Sequence, residues 1–426
     1  MKIISGNEYF NELRASGGSQ QSYADLDDVV LNIIQEIKQN GDAALRSYTE
    51  KFDQTNIQAI KVSTEEIEEA ESKVSETFIQ AIKKAYEHIY KFHANQVEKS
   101  WFYNEEGVML GQKVTPIESV GIYVPGGTAA YPSTVLMNAV PASIAGVKNI
   151  AMTTPPQKDG TINPHVLVAA KVAGIQTIYK AGGAQAIAAL AYGTETVQKV
   201  AKIVGPGNAF VACAKKWVFG EVAIDMIAGP SEICVVADES ANPSYVAADL
   251  LSQAEHDERA TAICVTHDKT VAEQIKDEVN RQKSKLKREE IINQSLADYG
   301  RIVVTESLEQ SFAIVNEMAP EHLQLMIENA LELVDKVEHA GAIFFGNYSP
   351  EALGDYIAGP NHTLPTSGTA KFSSPLGVYD FIKRSSIIHY SEQSLLNVAD
   401  EIMTIANAEG LDGHSEAINI RMENKE

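Results

Sequence analysis

Short apolar segments alternate with helical patterns from about residue 119 onward, and no other feature limits the fold of this chain as strongly. Strands that alternate with helices form parallel sheets, and open parallel sheets bind ligands at the carboxyl ends of their strands. The sequence therefore predicts two open-sheet α/β lobes with a cleft between them. The predicted strands are "SVGIYV", "NIAMTT", "IQTIYK" and "KVAKIVG" in the first lobe, and "EICVVA", "ATAICVT", "GRIVVT" and "GAIFFG" in the second, with second-lobe helices near 243 to 256, 268 to 285, 307 to 318 and 329 to 339.

The first hundred residues are predicted to be helical. One helix has Ser22 as a possible N-cap and Gly41 as its end, and a second helix begins at Ser63, whose capping-box partner is Glu66. The Gly/Pro/Ser/Thr-rich stretch at 347 to 376 is far longer than an ordinary connection, so we expect a functional loop there. A further helical segment is predicted from about 393 to 408.

Composition excludes several classes of protein. The 426-residue chain carries a formal net charge of −22, which would repel phosphate backbones and anionic membranes and so argues against nucleic-acid binding. It contains no apolar run of the roughly 18 residues that span a bilayer and no signal-peptide pattern, so we expect a cytoplasmic protein without membrane contact. Its three cysteines lie in apolar segments without metal-binding spacing, which is typical of buried structural thiols.

Three strand-to-helix turns contain small residues whose backbone could approach a phosphate. They are "GIYVPGGTAAYPST" with Gly126 and Gly127, "KAGGAQAIAALAYG" with Gln185, and "VGPGNAFVACAKK" with Asn208. None is a G-x-G-x-x-G fingerprint, and no acidic residue follows at the distance expected for holding a ribose. A single such turn is more often only a tight connection, but three in one lobe favour a nucleotide site.

The stretch "LLSQAEHDERATAICVT" places Gln253 and His256 three residues apart, on one face of a predicted helix. Such a pair is usually part of a solvated polar face, and Gln is an unusual zinc ligand. A metal site becomes the better interpretation only if other ligands complete it. The candidates are Asp355 and His362 in the long loop and His414 near the C-terminus.

In "NEMAPEHLQLM", Pro320 fits the first position of a helix, which would place Glu321 and His322 in its first turn. The helix dipole would there favour a neutral imidazole, so His322 could act as a general base while Glu321 stays ionised. Glu and His are also common in the first turn of a helix without any catalytic role.

Eight motifs, in order and over nearly the whole chain, resemble those of the histidinol dehydrogenase family. The resemblance implies two Rossmann-like lobes with N-terminal helices and a small helical C-terminal tail domain. It also implies oxidation of L-histidinol to L-histidine through histidinal, with two NAD+ and one zinc ion per site, as the last step of histidine biosynthesis. The motifs are "GIYVPGGTAAYPSTVLMNAVPA", "GGAQAIAALAYGT", "VGPGNAFVACAK", "DMIAGPSEICVVAD", "LLSQAEHD", "APEHLQL", "GDYIAGPNHTLPTSGTA" and "EGLDGHSEAI".

The resemblance also assigns roles to particular residues. It implies that His322 is the base for the substrate hydroxyl and later for the hydrate, and that Glu321 activates the hydrating water. His362 falls outside the implied ligand set. The implied zinc ligands, which also contact the substrate, are Gln253, His256, Asp355 and His414; the further substrate contacts are Ser231, His322 and Glu409; the NAD contacts are Tyr123, Gln185 and Asn208.

The expected organisation follows from the lobes and the resemblance together. We expect a homodimer in which the tail completes the partner's active site. The expected segments are 1–20 (N-terminal segment), 21–118 (helical part of the first lobe), 119–231 (NAD-binding lobe), 232–373 (second α/β lobe with the catalytic and zinc residues) and 374–426 (tail domain).

Three other functions are compatible with parts of the pattern. A cysteine-dependent aldehyde dehydrogenase would use Cys213 or Cys234 as its nucleophile. A zinc hydrolase of a small amine or amide would use Glu321 as the base for a metal-bound water. A two-lobed binding protein without catalysis would leave Glu321 and His322 without a role.

Overall fold

The structure is a computed structural model, and it describes residues 1–15, 24–126 and 130–423. The chain forms two compact units: a main unit of Met1–Gln96 and Ile117–Phe381, and a C-terminal unit of Val97–Pro116 and Ile382–Glu426. The strands are β1 (Lys2–Ser5), β2 (Trp101–Glu105), β3 (Val108–Pro116), β4 (Ser119–Tyr123), β5 (Asn149–Thr154), β6 (Thr177–Lys180), β7 (Lys202–Val204), β8 (Ala223–Ile224), β9 (Glu232–Ala237), β10 (Thr261–Thr266), β11 (Arg301–Val304), β12 (His322–Met326), β13 (Ala342–Phe345) and β14 (Ile382–Tyr390).

Helices connect and cover these strands. They are α1 (Gly6–Ala15), α2 (Ala24–Asp53), α3 (Thr64–Glu69), α4 (Glu76–His93), α5 (Pro132–Ala145), α6 (Pro164–Val172), α7 (Gly183–Tyr192), α8 (Ala209–Val218), α9 (Pro243–Ala254), α10 (Lys269–Lys283), α11 (Glu289–Asp298), α12 (Leu308–Met318), α13 (Glu351–Tyr356), α14 (Glu392–Leu396), α15 (Ala399–Ala408) and α16 (Asp412–Glu423). Among the described residues, no helix is long and apolar enough to cross a membrane.

The main unit contains two parallel sheets, which confirms the two-lobed α/β prediction. The first lobe has the strand order β6-β5-β4-β7-β8, and the second has β1-β11-β10-β9-β12-β13. The central strands of the second sheet are apolar almost throughout, because helices cover both faces of a parallel sheet. Residues 233 to 237 of β9 are accordingly all buried.

The segment around Pro320 is the main correction to the predicted elements. Helix α12 ends at Met318, Ala319 takes a left-handed backbone conformation (φ 50°), and His322 begins strand β12 rather than lying in a helix. The prediction from the proline was wrong because "HLQLM" pairs with β9 on one side and β13 on the other. A central, fully buried position stabilises this short apolar segment as a strand.

The N-terminal region is helical with two differences from the prediction. Gly41 (φ 49°, ψ −127°) interrupts α2, but the helix resumes and continues to Asp53, and Ser22 lies outside the described residues. The predicted capping box is confirmed: the Ser63 hydroxyl accepts from the Glu66 amide at 3.2 Å, and the Glu66 carboxylate accepts from the Ser63 amide at 3.0 Å. Strand β1, which the sequence did not predict, adds to the edge of the second sheet.

The C-terminal unit combines strands and helices. Strands β14, β3 and β2 form an antiparallel sheet, and α14, α15 and α16 follow β14. The tail predicted as helical therefore begins with a strand, whose partner strand comes from residues 108 to 116. The helix predicted at 393 to 408 is divided into α14 and α15, and the long loop at 347 to 376 contains α13.

Candidate active site

Glu321 and His322 lie at the amino end of β12, beside the amino end of β9. The main chain of Glu232, the first residue of β9, contacts both: its amide donates to Glu321 Oε2 at 2.9 Å, and its carbonyl accepts from His322 Nδ1 at 3.0 Å. Both catalytic candidates are buried. In the second lobe, the candidate catalytic residues therefore lie at the amino ends of the strands, and not at the expected carboxyl ends. Strand β9 begins directly after the chain leaves the first lobe.

Carboxylates surround the imidazole of His322. Glu321 lies 3.7 Å from Nδ1, Glu351 lies 3.9 Å from Nδ1, and Asp355 lies 3.7 Å from Nε2. Burial lowers the pKa of His322, but the carboxylates outweigh burial and raise this pKa to about 10. The expected helix dipole is absent, since no helix begins here, and the neighbouring carboxylates favour the protonated ring.

The carboxylates themselves respond differently to burial. Burial raises the pKa of Glu321 to about 8 and that of Glu351 to about 8, against the opposing effect of His322. Burial also acts to raise the pKa of Asp355, but the nearby imidazoles of His322, His362 and His256 bring it below its usual value. Asp355 is therefore the carboxylate of this group that stays ionised most readily.

His256 and Gln253 approach the same group of carboxylates from α9. Gln253 is fully buried, and when its amide nitrogen faces Glu351 it donates to Oε1 at 2.9 Å, which leaves the amide oxygen for another partner. His256 lies in the turn beyond the end of α9, so the predicted shared helix face is not formed. Its Nδ1 contacts the Ser252 carbonyl at 2.9 Å, which leaves Nε2 available.

These donors fit a divalent metal ion. Ligand atoms of His322, Glu351 and Asp355 lie within 4.8 Å of one another, and His322 Nε2 is buried without a hydrogen-bond partner among the described residues. A backbone carbonyl that fixes one imidazole nitrogen, as Ser252 does for His256, is the usual support for a metal-binding histidine. Imidazole and carboxylate ligands suit zinc.

Two cavities meet this group of residues. The larger, about 420 Å³, is mostly apolar and reaches His322, Asp355 and His362. The smaller, about 130 Å³, extends from the Gly205–Gly207 turn of the first lobe to Ser231 and Glu321. The smaller cavity therefore joins a glycine turn of the first lobe to a carboxylate of the second.

Comparisons with known proteins agree with this geometry. The family model for histidinol dehydrogenase matches residues 17–422. The chain belongs to the histidinol dehydrogenase family. It is 56% identical over 400 residues to the histidinol dehydrogenase of Oceanobacillus iheyensis, covering 94% of each chain, and 52% identical over 423 residues to that of Bacillus subtilis, covering 99% of this chain and 98% of the relative. The crystal structure of histidinol dehydrogenase from Elizabethkingia anophelis matches with a TM-score of 0.90 at 44% identity, covering 95% of this chain and 93% of that chain.

Membership of the histidinol dehydrogenase family makes the chain an oxidoreductase and disfavours the alternative functions. A zinc hydrolase or a binding protein without catalysis is not supported. The cysteines also argue against a thiol mechanism: all three are buried, and burial raises the pKa of the Cys213 thiol to about 11 and that of the Cys264 thiol to about 12. Cys213 is not in a wholly apolar setting, because its thiol lies 3.3 Å from the Asp27 carboxylate. That carboxylate raises the thiol pKa further.

The predicted NAD contacts lie at the carboxyl edge of the first sheet. Tyr123 ends β4, and its hydroxyl accepts from the Gly183 amide at 3.1 Å. Gln185, in the first turn of α7, is 1% exposed, and its Oε1 has no hydrogen-bond partner among the described residues. Asn208 caps α8 by accepting from the Phe210 and Val211 amides, so its oxygen already has a structural role. Gly127 lies outside the described residues.

Glu409 and His414 belong to the C-terminal unit. Glu409 is the C-cap of α15, His414 lies in the first turn of α16, and both side chains are exposed. Their assignments as a substrate contact and a zinc ligand remain predictions. His362, which the resemblance leaves outside the ligand set, contacts the Asp355 carbonyl through Nδ1 at 3.0 Å.

Sequence reasoning missed Glu351, Glu232 and a buried ion pair. Glu351 precedes Asp355 by four residues, and that spacing on one helix face was a usable signal. Glu232 could have been noticed as a carboxylate that opens an apolar strand. The pairing of Lys215 with Asp225 had no local signal, since it joins α8 to a residue just beyond β8.

Proposed function

We propose that the chain catalyses the NAD-dependent four-electron oxidation of L-histidinol to L-histidine through histidinal, the last step of histidine biosynthesis. One observation carries the proposal. The Glu232 carbonyl holds Nδ1 of His322, while the buried Nε2 has no hydrogen-bond partner among the described residues and faces Asp355. A ring fixed in this way, in a site that binds a cation and a dinucleotide, is suited to moving the substrate's hydroxyl proton.

In the first oxidation, the substrate hydroxyl gives its proton to His322 Nε2. The carbon–hydrogen bond at the same carbon then breaks, and NAD+, when bound, would supply the acceptor for the hydride. The product is the aldehyde, histidinal. The smaller cavity supports this proposal, because it joins the Gly205–Gly207 turn to Ser231 and Glu321 and so would offer the substrate and the dinucleotide a common space.

The second oxidation needs a water molecule. Glu321 takes a proton from the water as its oxygen adds to the aldehyde, and the protonated His322 returns a proton to the aldehyde oxygen, which completes the hydrate. A hydrate hydroxyl then gives its proton to His322, and bound NAD+ would accept the second hydride, which leaves the carboxylic acid. That acid releases its remaining proton to solvent and becomes the carboxylate of histidine. A Glu321 carboxyl whose pKa lies near 8 can accept a proton and release it again near neutral pH.

The metal ligands we propose are Gln253, His256 and Asp355, with His414 supplied by a second copy of the chain. Of the group His322, Glu351 and Asp355, only Asp355 is among these ligands, because His322 Nε2 is reserved for proton transfer. Bound there, a zinc ion would hold the imidazole and amino nitrogens of the substrate and orient it. The positive charge would also offset the carboxylates that surround His322 and make its deprotonated form more accessible. Ser231 and Glu409 are the remaining proposed substrate contacts, and Tyr123, Gln185 and Asn208 the proposed NAD contacts.

Formation of NADH on mixing the zinc-loaded protein with L-histidinol and NAD+ tests the proposal. We expect two NADH for each histidinol consumed, and histidine as the product detected by chromatography. His322→Ala should lose nearly all of this activity, whereas His267→Ala, at an exposed site after β10, should keep it. Absence of NADH formation by the unmodified protein would overturn the proposal.

A further inference from the structure

If the chain uses NAD, a residue that binds the ribose hydroxyls of the dinucleotide is expected, and the sequence patterns do not show one. Dinucleotide-binding lobes usually hold a ribose through an acidic residue that follows the glycine turn at a fixed distance, and none is present there. The structure places an acidic residue at the same edge from another element. Asp53, the last residue of α2, lies upstream of the first sheet in sequence.

The path of the chain after α2 puts Asp53 at the carboxyl edge of the first sheet. The segment after α2 pairs antiparallel to β6: the Val62 amide donates to the Ile178 carbonyl at 2.9 Å, and the Lys180 amide donates to the Ile60 carbonyl at 2.7 Å. Nearer to Asp53, the Thr55 hydroxyl donates to the carbonyl of Gln157 at 3.0 Å. Gln157 lies just beyond the end of β5, so Asp53 lies beside the strand ends.

Three buried polar atoms without partners lie at this edge. Asp53 Oδ2, Thr153 Oγ1 and Gln185 Oε1 are all buried and have no hydrogen-bond partner among the described residues. Thr153 pairs with Tyr123 in the sheet, and Gln185 lies over Gly183, whose amide donates to the Tyr123 hydroxyl. Buried polar groups in proteins are rarely left unpaired, so a cluster of them indicates a missing partner with hydroxyl or amide groups.

The charge of Asp53 acts on this same cluster. Burial raises the pKa of Tyr123 to about 12, and the Asp53 carboxylate adds to that effect. Burial raises the pKa of Asp53 itself to about 6, so the carboxylate is mainly ionised at neutral pH. An ionised carboxylate is a pure hydrogen-bond acceptor, which suits a partner with two neighbouring hydroxyl groups.

We infer that Asp53 binds the ribose hydroxyls of the adenosine half of NAD+ and so selects NAD+ over NADP+. The strand order explains why the adenosine half is involved. The cavity that reaches Glu321 lies at the turn after β7, whereas Asp53 lies beyond β5 and β6, on the other side of β4. A dinucleotide with its nicotinamide near Glu321 therefore extends its adenosine toward Asp53. A phosphate on the ribose 2′ oxygen would meet the carboxylate and be repelled.

The experiment measures dissociation constants by calorimetry for NAD+, NADP+ and NAD+ that lacks the adenosine 2′-hydroxyl. The unmodified protein should bind the deoxy analogue about 10-fold more weakly than NAD+, since a hydrogen bond to a charged group is lost. The Asp53→Asn substitution should weaken NAD+ binding by a similar factor. The Asp53→Asn protein should bind NAD+ and the deoxy analogue with nearly equal dissociation constants, and it should discriminate less against NADP+. Asp53→Glu, which keeps the charge, should restore part of the discrimination against NADP+.

Glu50→Gln is the matched control, because it removes one negative charge from an exposed site three residues earlier on α2. It should leave all three dissociation constants unchanged. Equal binding of NAD+ and its deoxy analogue by the unmodified protein would overturn the inference, and this result does not depend on the folding of any variant. The inference rests on the proposed use of NAD, but the two fail differently: a protein that reduces NAD+ without discriminating at the 2′ position refutes only the role of Asp53.

Discussion

The main chain of Glu232 contacts both candidate catalytic residues, donating from its amide to Glu321 at 2.9 Å and accepting through its carbonyl from His322 at 3.0 Å. Because β9 and β12 pair along their length, the relative positions of Glu321 and His322 are fixed by the sheet. Sites built on paired strands hold catalytic groups more accurately than sites on loops. The two residues are adjacent in sequence, yet in the proposed mechanism each addresses a different proton.

Glu321→Gln should separate the two half-reactions. We expect the rate of histidinal oxidation to fall by about 100-fold or more, which is the usual contribution of a general base. The rate of histidinol oxidation to histidinal should fall much less, because only the oxidation of histidinal needs an activated water. Supplying each substrate separately in steady-state assays measures both losses. Equal losses on the two substrates would remove Glu321 from the hydration step.

The pH dependence of kcat/KM for histidinal adds an independent readout of this prediction. A base works in its deprotonated form, so the rate should rise with pH as Glu321 loses its proton, whose pKa lies near 8. In Glu321→Gln the rise near pH 8 should disappear, while a rise at higher pH from the deprotonation of His322, which accepts the hydrate proton, should remain. Glu328→Gln, at a carboxylate just after β12, is the control and should keep the profile of the unmodified protein.

Features that depend on neighbouring residues could be predicted from the sequence, whereas features that depend on contacts between distant segments, such as strand β12, could not. The apolar strands and the Ser63–Glu66 capping box were predictable, because each depends on residues close in sequence. The helix predicted after Pro320 was wrong, because the segment "HLQLM" becomes a strand only by pairing between β9 and β13. Asp53 was missed for the same reason, because its surroundings are assembled from distant parts of the chain. Glu351 was missed although its spacing of four residues from Asp355 was a local signal.

Lys215 and Asp225 form a buried ion pair that organises the Gly205 turn. Lys215 Nζ donates to the Gly205 carbonyl at 3.1 Å, and Asp225 Oδ2 accepts from the Gly205 amide at 2.8 Å. Gly205 must be glycine, since at its φ of 112° a Cβ would lie 2.1 Å from the Tyr123 carbonyl oxygen. The pair therefore holds a turn that lines the smaller cavity.

Lys215→Met should lower the free energy of unfolding by about 3 to 5 kcal/mol, because it leaves the Asp225 carboxylate buried without its partner. Urea unfolding followed by circular dichroism measures the change. The control is Lys199→Met, which removes an exposed ion pair with Glu221 and should cost less than about 1 kcal/mol. A similar small loss for Lys215→Met would show that the buried pair does not stabilise the fold.

The cysteines should be dispensable for the reaction. The double variant Cys213→Ala, Cys234→Ala should retain most of its turnover, with a loss of stability of about 1 kcal/mol for each buried thiol. Both half-reactions and the circular dichroism spectrum should be measured on the same preparation. A folded double variant that no longer oxidises histidinal would support a thiol that captures the aldehyde.

Removal of the metal should abolish oxidation of histidinol while leaving NAD+ affinity nearly unchanged. The proposed ligands Gln253, His256 and Asp355 all follow the second-lobe strand β9 in sequence, whereas the proposed NAD contacts lie in the first lobe. Calorimetry of NAD+ on chelator-treated protein, and recovery of activity on addition of zinc, measure the two effects. A large loss of NAD+ affinity in the metal-free protein would contradict this separation.

The last prediction is that each active site is shared between two chains, with Glu409 and His414 acting on the partner. His322→Ala and His414→Ala should each be inactive alone. When the two variants are refolded together, every mixed dimer should contain one site with both defects and one with none. Random pairing then restores about one quarter of the activity of the unmodified protein per site. If His414 instead served its own chain, every site would keep one defect and no activity would return. Mass spectrometry under native conditions should confirm that mixed dimers are present, and mixed dimers without activity would make His414 a ligand within its own chain.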